Sequence, residues 1–130
     1  MYQAGGRIEI SFNGSRYSPR GKATIKPAGL QHSGVANHDG TAARTTVAKL
    51  VEADLTFDRG SAQNNTARPK WDSGFMQPFY GVTIKETDVG VMHIFSNASI
   101  IGDPALDTET GEVTGLTIQC AAADYVQTNI

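Results

Sequence analysis

GKATIKPAGLQHSGVANHDGTAARTTVAKLVEADLTFD, residues 21–58, decides how the rest of the chain is read. Two strand-like segments, residues 22–27 and 47–57, flank residues 28–46, which hold glycines at 29, 34 and 40, two histidines and no apolar period. Neighbouring strands in a compact domain are normally joined by about two to five residues, and a much longer connection without regular structure is usually a functional or binding element. Residues 28–46 are therefore expected to form a long loop that reaches outside its own subunit. The second strand alternates strictly: Val51, Ala53, Leu55 and Phe57 share one face, and Glu52, Asp54, Thr56 and Asp58 share the other. One face needs a core, and the other carries three carboxylates.

Composition bounds the answer. The 130 residues predict one domain, 1–130, large enough to bury a core. Hydrophobic and charged fractions of 39% and 18% are ordinary for a globular chain, and 14 glycines favour many turns between short strands, hence a mainly β fold. A net charge of -2 and a pI near 5.8 argue against adhesion to nucleic acid, which needs Lys and Arg against phosphate. The lone Cys120 excludes an intramolecular disulfide. It lies on the apolar side of an alternating run with Leu116, Ile118 and Ala122, and reads as a small buried hydrophobe rather than a reactive or intersubunit thiol. Residues 1–7 lack the features of a secretory signal, and no run approaches the ~20 apolar residues of a membrane helix. No membrane partner is expected, and the chain reads as made in the cytosol or in a particle assembled there.

In chain order, Ile8, Ile10 and Phe12 alternate with polar residues, and Asn13-Gly14 marks a tight hairpin returning through residues 15–17. A polar connection is expected over 58–70. A short helix is expected over 69–76, with Pro69 at its first position and Trp71, Phe75 and Met76 as its apolar stripe. Residues 80–87 alternate, 87–90 turn, and 91–98 are apolar on both faces, as in a strand covered on both sides or by a partner. The last strand, 112–123, sends Leu116, Ile118, Cys120 and Ala122 inward, with Thr117 and Gln119 outward. The sum is a β-sandwich or open barrel with one short helix.

The sequence offers little for chemistry. His32, His38 and Asp39 match no standard metal spacing, and Asp103, Asp107 and Glu109 lack the order of a calcium loop. No serine sits in G-x-S-x-G, and no phosphate-binding glycine motif occurs. Glu52 and Asp54 on one strand face give what a solvated face gives as well as a glycosidase pair. No enzyme, cofactor or metal is expected.

The order of the pieces carries a resemblance. The Asn13-Gly14 hairpin, Tyr17, residues 21–25, Pro27-Ala28-Gly29, a loop with Gly34-Val35-Ala36-Asn37 and Asp39-Gly40, and the strand 51–57 come in sequence. They are followed by 80–86, the 88–90 turn, the strand 91–96 with Asn97-Ala98, and 111–123. Over nearly its whole length the chain thus resembles the tail tube proteins of long-tailed bacteriophages, nearest to those of Mu-like contractile phages, which are similar to the inner-tube protein of type VI secretion systems. The resemblance implies a β-sandwich-like subunit with one helix at its side, six to a ring, with rings stacked into a hollow tube that conducts DNA to the host. It further implies sheets joined between neighbours into one continuous barrel and a loop that packs on the adjacent ring. Tail sheath, tape-measure and baseplate proteins would be partners, and the place would be the tail of a virion assembled in the host cytoplasm. By position, residues 28–46 would be the stacking loop, with His32, Val35, Asn37, His38 and Asp39 as contacts. A lumen that passes DNA must repel phosphate within a screening length of about 8 Å, which makes Glu52, Asp54, Thr56 and Asp58 the lumen-facing candidates. The alternative is that this face meets bulk water or an outer sheath.

Two readings from other classes remain. A monomeric β-sandwich module binding carbohydrate or peptide would need an exposed aromatic platform, for which Trp71, Phe75, Phe79 and Tyr80 are the available cluster. A lipocalin-like or hydrolase barrel would need a cavity or an acid-base pair that the sequence does not identify.

Overall fold

The computed structural model describes residues 1–17, 19–20, 22–59, 71–76 and 80–130. Residues 60–70 of the expected polar connection, Pro69 of the expected helix and Phe79 lie outside them. The described residues are mainly β: β1 (Ile8–Phe12), β2 (Ser15–Tyr17), β3 (Thr24–Lys26), β4 (Leu30–Ala36), β5 (Ala42–Ala48), β6 (Val51–Asp58), β7 (Tyr80–Glu86), β8 (Val91–Ile101), β9 (Ala105–Leu106), β10 (Glu112–Cys120) and β11 (Tyr125–Asn129). Every pairing between them is antiparallel.

The ladder β2-β1-β7-β8-β10-β6-β3 wraps most of the way round a common core. Its two ends, β2 and β3, are consecutive in the chain. Between them Pro19 bridges Phe57 and the Arg20 N–H donates to Thr56 O at 2.9 Å, so the segment crosses from β1 to β6 and nearly closes a flattened barrel. On the opposite side β8 serves both walls. Residues up to Ala98 pair with β7, with a register shift between Phe95 and Ala98, and Ser99–Ile101 pair with β10. The bend falls at Asn97, whose φ of 50° is a left-handed conformation that Asn tolerates. β10 and β11 run back along β8 through a 3₁₀ turn at Ala122–Asp124, pairing Gln119 with Ser99 and Tyr125 with Phe95.

The core follows the alternation. Val51, Ala53, Leu55 and Phe57 of β6 are buried against Ile10, Phe12, Val82, Ile84, Phe95, Leu116 and Ile118, each large aliphatic or aromatic side chain contributing about 1.5–3 kcal/mol of transfer free energy. Cys120 is buried in the same cluster, and burial, with the charge of Asp124 next, pushes its thiol pKa up. Ala122, expected inward, is exposed because the 3₁₀ turn ends the strand at Cys120.

A wide bulge opens β10 between Val113 and Leu116. Here Gly102 (φ 95°) and Gly115 (φ 81°) cross back to back: a Cβ on Gly102 would overlap Gly115 O, and one on Gly115 would stand 2.6 Å from Asp103 O. Only glycine meets both demands at once.

Three expectations are corrected. Residues 28–46 are not an irregular loop: β4 and β5 form a regular hairpin from Leu30↔Ala48 to Ala36↔Ala42. The long strand expected over 47–57 is interrupted, with β5 ending at Ala48 and β6 starting at Val51. Residues 71–76 are a pair of turns, with the Phe75 N–H on Asp72 O at 3.0 Å and the Met76 N–H on Ser73 O at 3.2 Å. Asp72 Oδ1 takes the Gly74 N–H at 3.0 Å and Trp71 has φ 59°, both of which oppose helix.

Candidate assembly surfaces

Two surfaces carry the residues singled out from the sequence. The first is the outer face of the sheet β3-β6-β10-β8. Cross-strand register aligns Lys26, Glu52, Gln119 and Ser99 in one row, and Thr24, Asp54, Thr117 and Ile101 in the next, and residues so aligned share a face. Gln119 Nε2 donates to Glu52 Oε1 at 2.6 Å, and Lys26 Nζ lies 3.9 Å from Glu52 Oε2. Thr117 Oγ1 donates to Asp54 Oδ1 at 2.8 Å. Arg20 Nη2 lies 3.4 Å from Asp58 Oδ1. Thr56 lines, with Arg20, Lys22, Asp54 and Glu112, a shallow hollow of about 440 Å³ beside the β10 bulge.

The face is therefore a lattice of laterally bonded polar groups rather than a bare row of carboxylates. The cations come from β3 and the segment before it. Their outward direction is legible in the alternation of Lys22, Thr24 and Lys26, but which strand they adjoin is set by the fold.

The second surface is the β4–β5 hairpin, an arm whose strands are exposed along their whole length. It leaves the body where the Lys49 N–H donates to Gly29 O at 2.9 Å. At its tip the Asn37 N–H donates to Thr41 O at 2.8 Å and the Gly40 N–H to Asn37 O at 3.0 Å. Asp39 Oδ1 accepts from the Thr41 hydroxyl at 2.6 Å and from its N–H at 3.0 Å, and these bonds, the hydroxyl's first, hold the carboxyl below its ordinary pKa. His38 is exposed at the tip. His32 lies in the shaft, its Nδ1 2.9 Å from Thr46 Oγ1, and Val35 pairs with Ala43. The five residues named as contacts thus share one projecting element.

Leu30, Val35 and Val47 on the arm and Leu50 at its base are exposed large hydrophobics; of these, only Val35 is among the contacts expected from the sequence. A third apolar area went unread. β11 places Val126 opposite Ile94 on the outer side of β8, with Val126 and Ile130 exposed. The strand 91–98 is thus covered on its inner face at His93 and Phe95 and only half-covered at Met92 and Ile94.

The aromatic cluster faces inward. Trp71, Phe75 and Tyr80 are no more than 8% exposed. Trp71 stacks on Phe57 at 5.6 Å and meets Phe75 at 4.9 Å, while its Nε1–H donates to Arg59 O at 3.2 Å. Among the described residues, no group of three or more His, Cys, Asp or Glu stands together as a metal site would, and no helix is long and apolar enough to cross a membrane.

No known family profile matches the chain by sequence, and no curated protein sequence matches it. Solved structures do match its fold. The cryo-EM structure of the anti-feeding prophage cap, the AFP tube-terminating cap, is similar with a TM-score of 0.55 at 14% identity, over 95% of this chain and 89% of that one. A chain of the extended sheath-tube complex of an extracellular contractile injection system, PVC, is similar with a TM-score of 0.53 at 11% identity, over the same shares of the two chains. The chain shares its fold with these two structures.

Proposed function

We propose that the chain is a structural subunit of a contractile tail or injection device, six copies forming a ring and rings stacking into a hollow tube that conducts DNA to a host cell. The observation that carries this reading is the β4–β5 arm. An isolated two-stranded hairpin is at best marginally stable in water, and this one exposes aliphatic side chains while making its interstrand bonds only with itself. A contact of this kind that does not close on itself builds an open stack, and the sheet edges left by β3 and β11 are the places where neighbours in a ring would join, removing margins that otherwise aggregate. In that assembly the arm packs on the next ring, with His32, Val35, Asn37, His38 and Asp39 as its contacts. The face of Glu52, Asp54, Thr56 and Asp58 lines the lumen. Sheath, tape-measure and baseplate proteins are the expected partners, the virion tail the expected place, and no catalytic step is involved.

The likeness to a tube-terminating cap favours a second reading, in which the chain closes one end of a tube. That protein would form rings that do not lengthen. The reading as a monomeric binding module loses its support, since three of its four platform aromatics lie in the core.

Excising the arm tests the proposal. Gly29 and Lys49 are already hydrogen-bonded across its base, so a tight turn in place of residues 30–48 should leave the body folded. Stacking should be lost; filaments that persist without the arm would refute the arm's role.

A further inference from the structure

Where the arm leaves the body a cleft of about 420 Å³ opens between them, and we infer that it is a docking site for a partner polypeptide, taking an acidic residue flanked by aliphatic ones. Leu30 lines it from the arm, Lys49 and Leu50 from the base, and Lys26, Glu52 and Gln119 from the sheet. The inference stands apart from the assembly proposed above, since it needs no contact between copies of this chain. The root of the arm is closely fixed. The Lys49 N–H donates to Gly29 O at 2.9 Å, and Gly29, at φ 68°, lies so near the 3₁₀ turn that a Cβ on it would stand 2.8 Å from the Ala122 Cβ. A cleft shaped before its ligand arrives loses little free energy in closing on it.

Shape and charge select the occupant together. Leu30 and Leu50 are 53% and 50% exposed, two large apolar side chains left in water on the same cleft, and its volume suits a few side chains rather than a folded surface. The charged lining residues are Lys26, Lys49 and Glu52, two cations against one carboxylate on a chain whose net charge is -2. Glu52 is already engaged by Gln119 Nε2 at 2.6 Å and by Lys26 Nζ at 3.9 Å, whereas Lys49 forms no ion pair with any described residue. An incoming carboxylate therefore meets a cation that no described carboxylate neutralises, while aliphatic neighbours in the same segment cover the leucines. A nucleic acid backbone would satisfy the lysines and leave the leucines wet.

The probe is a short blocked peptide with one glutamate between two leucines, titrated into isotope-labelled chain at a concentration where the chain sediments as a single subunit. Saturable amide shifts centred on residues 26–30, 49–52 and 119 are the expected result. Replacing the peptide's glutamate by glutamine should weaken binding roughly two- to fivefold, the scale of a partly exposed charge pair, and replacing both leucines by alanine roughly tenfold or more. Lys49→Gln should reproduce the first loss with the thermal melting of the chain unchanged, because that residue is exposed. Absence of saturable shifts would overturn the inference, as would an equal response to all three peptides. Displacement of the peptide by a short DNA duplex would overturn a polypeptide as the occupant. Shifts of these residues on concentrating the chain alone, with no response to peptide, would overturn it too and assign the cleft to a contact between copies. None of these outcomes bears on whether the chain polymerises, so this inference and the proposed function fail separately.

Discussion

His93 Nε2 lies 2.8 Å from Glu86 Oε2, inside the corner where β7, β8 and β11 meet. His93 is the buried polar residue of the described core. Its Nδ1 lies 2.7 Å from the Tyr125 hydroxyl, so both ring nitrogens have a partner. A buried polar group is tolerable only when its partners are present. Replacing Glu86 by Leu leaves the ring nitrogen without its acceptor and should lower unfolding free energy by about 1–3 kcal/mol, measured by urea denaturation. Amide exchange in Tyr125–Asn129 should rise before exchange in β6, because β11 is held along one edge only. Equal stability of the two proteins would show that the corner is packed rather than hydrogen-bonded.

Arg7 grips Asp88 through Nη2 at 2.8 Å and Nε at 3.2 Å, and its backbone N–H gives a further bond at 2.8 Å. These bonds, the side-chain one foremost, lower the Asp88 pKa to about 2. A carboxyl with a depressed folded-state pKa contributes stability above its unfolded value and loses it as pH falls through the folded one. The contribution of this clasp is thus complete above pH ~4 and should vanish on the way to pH ~2. NMR titration of the Asp88 carboxyl checks the value, and Asp88→Asn should remove that part of the acid dependence.

Gly115 sits at a positive φ with Asp103 O where its side chain would be. Gly115→Ala is expected to cost about 1–3 kcal/mol, from backbone strain and the forced separation of the 102–103 and 115 segments. A neutral substitution would mean that the bulge can relax.

The lumen assignment has its own consequence. Glu52→Lys with Asp54→Lys reverses two charges on the outer face of β6 without touching the core face. Tubes should still form, while passage of DNA through the assembled device should slow or stop as the lumen becomes attractive to phosphate. Undiminished passage would move this face off the lumen.

The core was legible where one face of a strand is buried and the other wet. β6, β7 and the second half of β10 alternate cleanly, and the Asn13-Gly14 turn adopts the positive φ values (48° and 86°) that its residues foretell. The arm was misread as irregular for the same reason in reverse. Neither of its faces is buried within the subunit, so nothing imposes an apolar period, and its pairing rests on backbone bonds that leave no compositional trace. β11 escaped notice likewise, since past Tyr125 its side chains are exposed and only its backbone is engaged. Trp71 and Phe75 were correctly seen as a group, but spacing alone does not tell a helix stripe from turns that fold both rings into the core. On the carboxylate face, the directions of Glu52, Asp54, Thr117 and Gln119 were readable, whereas the lateral bonds between them depend on β10 lying beside β6.

Sedimentation velocity of the purified, unsubstituted chain over a wide concentration range, with negative-stain images of the fastest species, bears most directly on the central claim. Rings and stacked tubes that appear as concentration rises are the predicted result. A single species at the mass of one 13.8 kDa chain at every concentration, with the arm protected from exchange by its own subunit, would contradict it.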